Sequence, residues 1–178
     1  IIKLRASDKA SLVDTEFTSS FTGTEGTTAI RSGRIKLQNA YGSELLALPV
    51  PLEAQYWNGS SYVRNQLDSC TIIPAISIAM SSYTSNLNAC ETQIGYTSGT
   101  GLLSNGLSSL LRLTKPGTGN NGSVNLTLNL NSAAGNTCTS ASTSAATSAN
   151  LPWFGANPTS RETFGIYKTP IIYMRENF

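Results

Sequence analysis

Between Ser123 and Asn131 the chain alternates without a fault. Val124, Leu126, Leu128 and Leu130 fall on one side; Asn125, Thr127, Asn129 and Asn131 fall on the other. A period of two is the signature of a strand with one face on a core and one face in water, and a helix would scatter the same residues around its circumference. Such a strand needs neighbours, because its backbone must be paired and its apolar face covered. The same rhythm recurs at Arg34-Ile35-Lys36-Leu37-Gln38, with Ile35 and Leu37 inward. It recurs again where Val50, Leu52, Ala54 and Tyr56 oppose Pro51, Glu53 and Gln55. No stretch of 12 or more residues keeps a helical period. LLSNGLSSLLRL comes nearest, but Gly106 and its serines argue against it.

Turn signals divide these runs. Asn58-Gly59 between Tyr56-Trp57 and Tyr62-Val63 predicts a hairpin. KPGTGNNG predicts a turn before Ser123. Further strands are expected in 71–80, interrupted by Pro74, and in 107–114. One or two more are expected within 1–30, around Val13, Phe17 and Phe21, with a loop at GTEGTT. A closing hairpin is expected around Thr169-Pro170. Residues 132–149 are Ser/Thr/Ala-rich and read as a low-complexity, mobile loop. The predicted fold is all-β, a two-sheet antiparallel β-sandwich with long loops, in a single domain over 1–178.

Composition narrows the function. Serine (24) and threonine (21) supply about a quarter of the 178 residues. Charged residues supply 12%, half of what is usual for a globular chain, which fits an extracellular module. The net charge of +2 and the lack of a Lys/Arg cluster argue against nucleic acid. No run of 18 apolar residues spans a membrane. There is no histidine, which removes Ser-His-Asp triads, Cys-His dyads and histidine metal sites. Asp68 and Glu91 flank Cys70 and Cys90 and would approach each other if those two were bonded, but they lie in no calcium-loop pattern, and no spacing among the ten acids singles out a catalytic pair. No enzyme activity, metal or cofactor is expected. The first residue is Ile1 rather than Met, which reads as part of a longer protein.

Three cysteines remain, Cys70, Cys90 and Cys138, without metal-binding spacing. A Cys70–Cys90 disulfide is expected. It closes a loop of about 20 residues and stabilises by roughly 3 kcal/mol. Cys138 is then either free or paired outside this segment; three reduced thiols are the alternative. Among the aromatic residues, Trp57, Tyr62 and Trp153 are the candidate ligand-binding positions, since ring faces pack on sugar C–H faces. Alternation places Tyr56 and Trp57 on opposite faces of one strand. A sugar platform requires at least two coplanar exposed rings beside Asn, Gln or Asp. The plainer alternative is a cross-strand pair that supports the hairpin. Trp153, after Pro152, is expected to plug one end of the sandwich.

Several ordered blocks carry a resemblance. They are GRIKLQNAYGSELLALPVPLEAQYWNGSSYVRNQLDSCT, NLNACET, LTKPGTGNNGSVNLTLNL, NLPWFG and RETFGIYK with IIYMREN. Together they resemble the C-terminal region of MshQ-like proteins of the mannose-sensitive haemagglutinin type IV pilus system. The resemblance implies the last part of a large surface protein of a Gram-negative bacterium, with other pilus or surface-protein subunits as partners. The leading functional expectation is a non-enzymatic structural or assembly module of a pilus-associated extracellular protein. The alternatives are a carbohydrate-binding adhesin module and a filament subunit assembling by strand addition, with IIYMRENF or the N-terminal segment as donor. The block from Gly33 to Val63 then reads as framework. Gly33, Gly42 and Gly59 would supply turns or bulges, residues 39–44 a polar bend, and Pro49 and Pro51 a blunted sheet edge.

Overall fold

In the computed structural model, residues 2–4, 26–28, 32–108 and 110–165 are described. The expected strands around Val13, Phe17 and Phe21 and the hairpin at Thr169-Pro170 lie outside these residues, as does the donor segment IIYMRENF. The chain divides into two compact units, Ile1–Ser32 and Gly33–Phe178. In the first, β1 (Ile2–Leu4) pairs antiparallel with β2 (Gly26–Thr28), so the end of GTEGTT is strand rather than loop.

The second unit holds β3 (Gly33–Leu37), β4 (Ala40–Gly42), β5 (Leu48–Pro49), β6 (Leu52–Trp57) and β7 (Tyr62–Arg64). After a 3-10 turn at Ala75–Ser77 come β8 (Ile78–Ser81), β9 (Ile94–Tyr96), β10 (Leu107–Ser108), β11 (Leu111–Leu113) and β12 (Gly122–Leu128). β13 (Asn136–Thr137), β14 (Ser144–Ala145), a 3-10 turn at Pro152–Phe154 and β15 (Thr159–Phe164) follow.

The fold is all-β and sandwich-like, as the alternation predicts. Its strands are spread over more sheets than two. In the first sheet β6 is central, with β3 on one side and β10 and β7 sharing the other. The second has the order β5-β11-β9. The third has the order β4-β15-β12-β8, and its β4–β15 contact is parallel. β13 and β14 form a small separate ladder. The run 107–114 is therefore two strands in two sheets, not one.

One apolar core joins these sheets. Ile35, Leu37, Leu52 and Ala54 come from the first sheet, Leu48, Ile94, Leu111 and Leu113 from the second, and Ile78, Val124, Leu126, Leu128 and Phe164 from the third. The alternating runs bury the faces the sequence assigns to them. The exceptions are Gln55, 7% exposed and accepting from Arg34, and Asn129, placed outward by alternation but only 1% exposed. Asn129 Nδ2 donates to the carbonyls of Ala134 and Thr147, at 2.8 and 3.2 Å. The segment 132–149 causes this, because it folds back over the end of β12 and is not a bare loop. Ala149 and Thr147 donate their backbone N–H groups to Asn129 and Ile76.

The disulfide also differs from the expected one. Cys90 is bonded to Cys138, and Cys70 is free and exposed. Loop length favoured Cys70–Cys90, but sheet geometry decides proximity. The N–H of Ile94, at the start of β9, donates to the carbonyl of Cys138 at 2.8 Å, which brings Cys138 beside the chain leading into β9. The Cα atoms of Cys90 and Cys138 are 5.2 Å apart. The closed loop spans 48 residues, for which chain entropy gives a stabilisation of about 4 kcal/mol.

The block from Gly33 to Val63 is framework in a concrete sense, because β3, β6 and β7 enter the first sheet, β5 the second and β4 the third. Residues 40–42 of the expected polar bend are thus a strand. Pro49 does lie on an edge strand, β5. Gly59 makes the hairpin turn, with φ of 110°. Gly33 and Gly42 serve close packing instead: a Cβ at Gly33 would lie 3.2 Å from the Phe154 ring, and one at Gly42 would lie 2.9 Å from Leu48.

Candidate functional site

The hairpin β6–β7 carries two of the three aromatic candidates. Asn58 shapes its turn: Oδ1 accepts the N–H groups of Ser60 and Ser61, both at 2.9 Å. The turn sets Trp57 directly opposite Tyr62. Their ring centroids are 5.3 Å apart and the planes meet at 63°. On the same face of the sheet, Arg34 of β3 faces Gln55 of β6. Arg34 Nε donates to Gln55 Oε1 at 2.8 Å, and its guanidinium carbon lies 4.0 Å from the Tyr62 ring centre. The guanidinium is thus held by a hydrogen bond and a cation–π contact. Trp57 is 44% exposed, and Tyr62 is half-buried beside it.

This face combines an exposed indole, a second ring, a fixed cation and a buried amide. The rings cross rather than lie coplanar, so the geometry differs from the two-ring platform that a sugar site requires. It also matches the plainer alternative of a cross-strand pair stabilising the hairpin. Tyr56 lies on the opposite face, as alternation predicts.

Trp153 belongs elsewhere. It is 65% exposed and pairs with Phe154, with ring centroids 6.2 Å apart. The residue that plugs the core is Phe154, 8% exposed and seated over Gly33. The expected plug is therefore one position off. In a 3-10 turn consecutive side chains diverge, and the sequence Pro-Trp-Phe does not say which ring turns inward.

Asp68 and Glu91 serve local structure. Asp68 is buried and closes its own loop, accepting the N–H groups of Cys70 and Thr71 and the Thr71 hydroxyl. Glu91 accepts the backbone N–H of Asn88 at 2.7 Å. Asp68 and Glu91 thus bind their own neighbours. Among the described residues no three His, Cys, Asp or Glu side chains come together as a metal site would need.

Sequence reading missed Glu162. It lies in β15 on the face that also carries Phe164, and is fully buried. Oε1 accepts the Ser160 hydroxyl at 2.6 Å and Oε2 accepts the Ala40 N–H at 2.7 Å. Burial pushes its pKa up to about 7, against the lowering effect of those two hydrogen bonds. The carboxyl clamps β15 to β4. The signal available in the sequence was the alternation Ser160-Glu162-Phe164, hidden because two of its three members are polar.

Fold and surfaces together define a disulfide-stapled, Ser/Thr-rich, all-β module. The profile of DUF6701, fourth domain, matches residues 31–177, and the chain belongs to that family, which is uncharacterised. No curated protein matches the chain, and no solved structure does. Among the described residues no helix is long and apolar enough to cross a membrane.

Proposed function

We propose that residues 33–178 form a non-enzymatic structural module of an extracellular, pilus-associated bacterial surface protein. The observation that carries this reading is the distribution of the Gly33–Val63 block over three sheets around one core. Such interlocking makes a rigid unit suited to bearing load or spacing other domains. The Cys90–Cys138 disulfide fits an oxidising compartment. The family description, a fourth domain, fits one module in a series. The link to the mannose-sensitive haemagglutinin pilus rests on the sequence blocks alone. The test is an in-frame deletion of the module in the bacterium, with pili and the parent protein counted at the cell surface. Loss of surface assembly, restored by the wild-type module but not by a Cys90→Ser, Cys138→Ser version, is expected. Unchanged assembly overturns the reading.

A second reading, a carbohydrate-binding adhesin module, is favoured by the exposed Trp57 beside Tyr62 and the fixed Arg34. Its test is a glycan array with the wild type and Trp57→Ala. A saturable signal lost in the folded variant supports it, and no signal above background removes it.

A further inference from the structure

The solvent face of the third sheet holds a cleft of about 280 Å³ lined almost entirely by polar side chains. Its floor follows from strand register. Asn125 of β12 lies between Arg161 of β15 and Ser81 of β8, and Thr127 lies beside Thr159. Asn39 closes one side, its Oδ1 accepting the backbone N–H of Arg161 at 2.9 Å. One end of this face is covered where Thr84 bonds to Ser123, and Gly135 packs on Ala79, across the ladder from Thr127.

Arg161 is fixed within this frame. Its Nε donates at 2.9 Å to Oγ of Ser123, a buried hydroxyl that also bonds Thr84 at 2.8 Å. Among the described residues no carboxylate pairs with the guanidinium, and the side chains of Asn125, Thr127, Ser81 and Thr159 have no hydrogen-bond partner. A surface strand with outward Asn and Thr is ordinary. Here the uncommitted amide and hydroxyl groups are gathered in a concavity around an oriented guanidinium, which an ordinary strand face does not provide.

We infer that this cleft binds a carboxylate-bearing sugar residue of the hexuronate class, with its carboxylate on Arg161 and its hydroxyls on Asn125, Thr127, Thr159 and Ser81. The two terminal nitrogens of a guanidinium match a planar carboxylate bidentately. The neutral groups around it both donate and accept, as a polyol requires. A single guanidinium balances one negative charge, which suits a carboxylate better than a doubly charged phosphate. The site lies on a different sheet from Trp57 and does not depend on the function proposed above.

The test is an amide chemical-shift titration of the full chain at neutral pH with galacturonate, galactose, acetate and tetragalacturonate. Saturable shifts in β12 and β15 with galacturonate, and weaker binding of galactose and acetate by at least about ten-fold, are expected. Tighter binding of tetragalacturonate assigns the source as a polymer, and equal binding assigns a single residue. Arg161→Met is expected to weaken galacturonate binding by about ten-fold or more while leaving the galactose response unchanged. If that variant does not fold, Asn125→Ala provides the comparison, with a smaller loss for both sugars. Absent saturation, equal binding of acetate and galacturonate, or shifts confined to Trp57 and Tyr62 would each overturn the proposal.

Discussion

Between about pH 4.5 and pH 7, burial lets Glu162 keep a proton that the unfolded chain would release. Its folded pKa of about 7 stands above the 4.5 of an ordinary glutamate, so the folded state binds the extra proton between those values. The stability it contributes is complete below about pH 4.5 and is lost as pH rises through about 7. Thermal unfolding of the wild type and Glu162→Gln from pH 4 to pH 8 measures this. The wild type is expected to lose up to a few kcal/mol relative to the variant across that window. A parallel pH response in both would remove Glu162 as the cause. Cys70 gives a second residue-level test. It is exposed, while Cys90 and Cys138 are bonded, so iodoacetamide is expected to modify one thiol per native chain, at Cys70. Modification of Cys138 without a reductant would contradict the pairing. Polar residues turned inward are where the sequence was least readable. Nothing local distinguishes the Asn125 amide, which faces water, from that of Asn129, which satisfies carbonyls of a returning segment.

Among elements, strands that alternate apolar and polar residues were legible, and strands that depend on remote partners were not. β12, β6 and the β6–β7 hairpin follow from periodicity and an Asn-Gly turn, which are local signals. β15 was hidden because its inward face is Ser160, Glu162 and Phe164, and the split of 107–114 depends on which sheets its leucines reach. Residues 132–149 read as low complexity, yet they form β13 and β14 and hold Cys138 at 1% exposure. Composition reports what a segment can bury by itself, not what a disulfide and a neighbouring strand hold in place. The Cys90→Ser, Cys138→Ser variant is therefore expected to be destabilised by about 4 kcal/mol in urea unfolding. A loss well under 1 kcal/mol would mean that the ladder and its packing, not the cross-link, fix this segment. The faces of the site were partly legible for the same reason. The Trp57–Tyr62 pair follows from hairpin register, whereas the Arg161 cleft needs three strands of one sheet.

At the scale of the whole molecule, the division after Ser32 gives the simplest test. A chain of residues 33–178 is expected to show the dispersed amide spectrum of a folded β protein, because its core cluster draws on residues from Ile35 onward. A collapsed spectrum would show that residues 1–32 are needed for folding. All-β character and one dominant core were readable from alternation and length. The number of sheets was not, because short strands such as β5 and β10 contribute two residues each and leave no periodic trace.

The parallel contact between Ala40–Gly42 and Glu162–Phe164 joins residues 122 apart. On a ribosome adding 5–20 residues per second, β4 would wait roughly 6–24 s for its partner to emerge. During that interval the Ala40 amide has no carboxylate to bond and the Gly33–Val63 strands have only part of their neighbours. Placing the closing strand late keeps this sheet open during synthesis, and β15 completes it only after that delay.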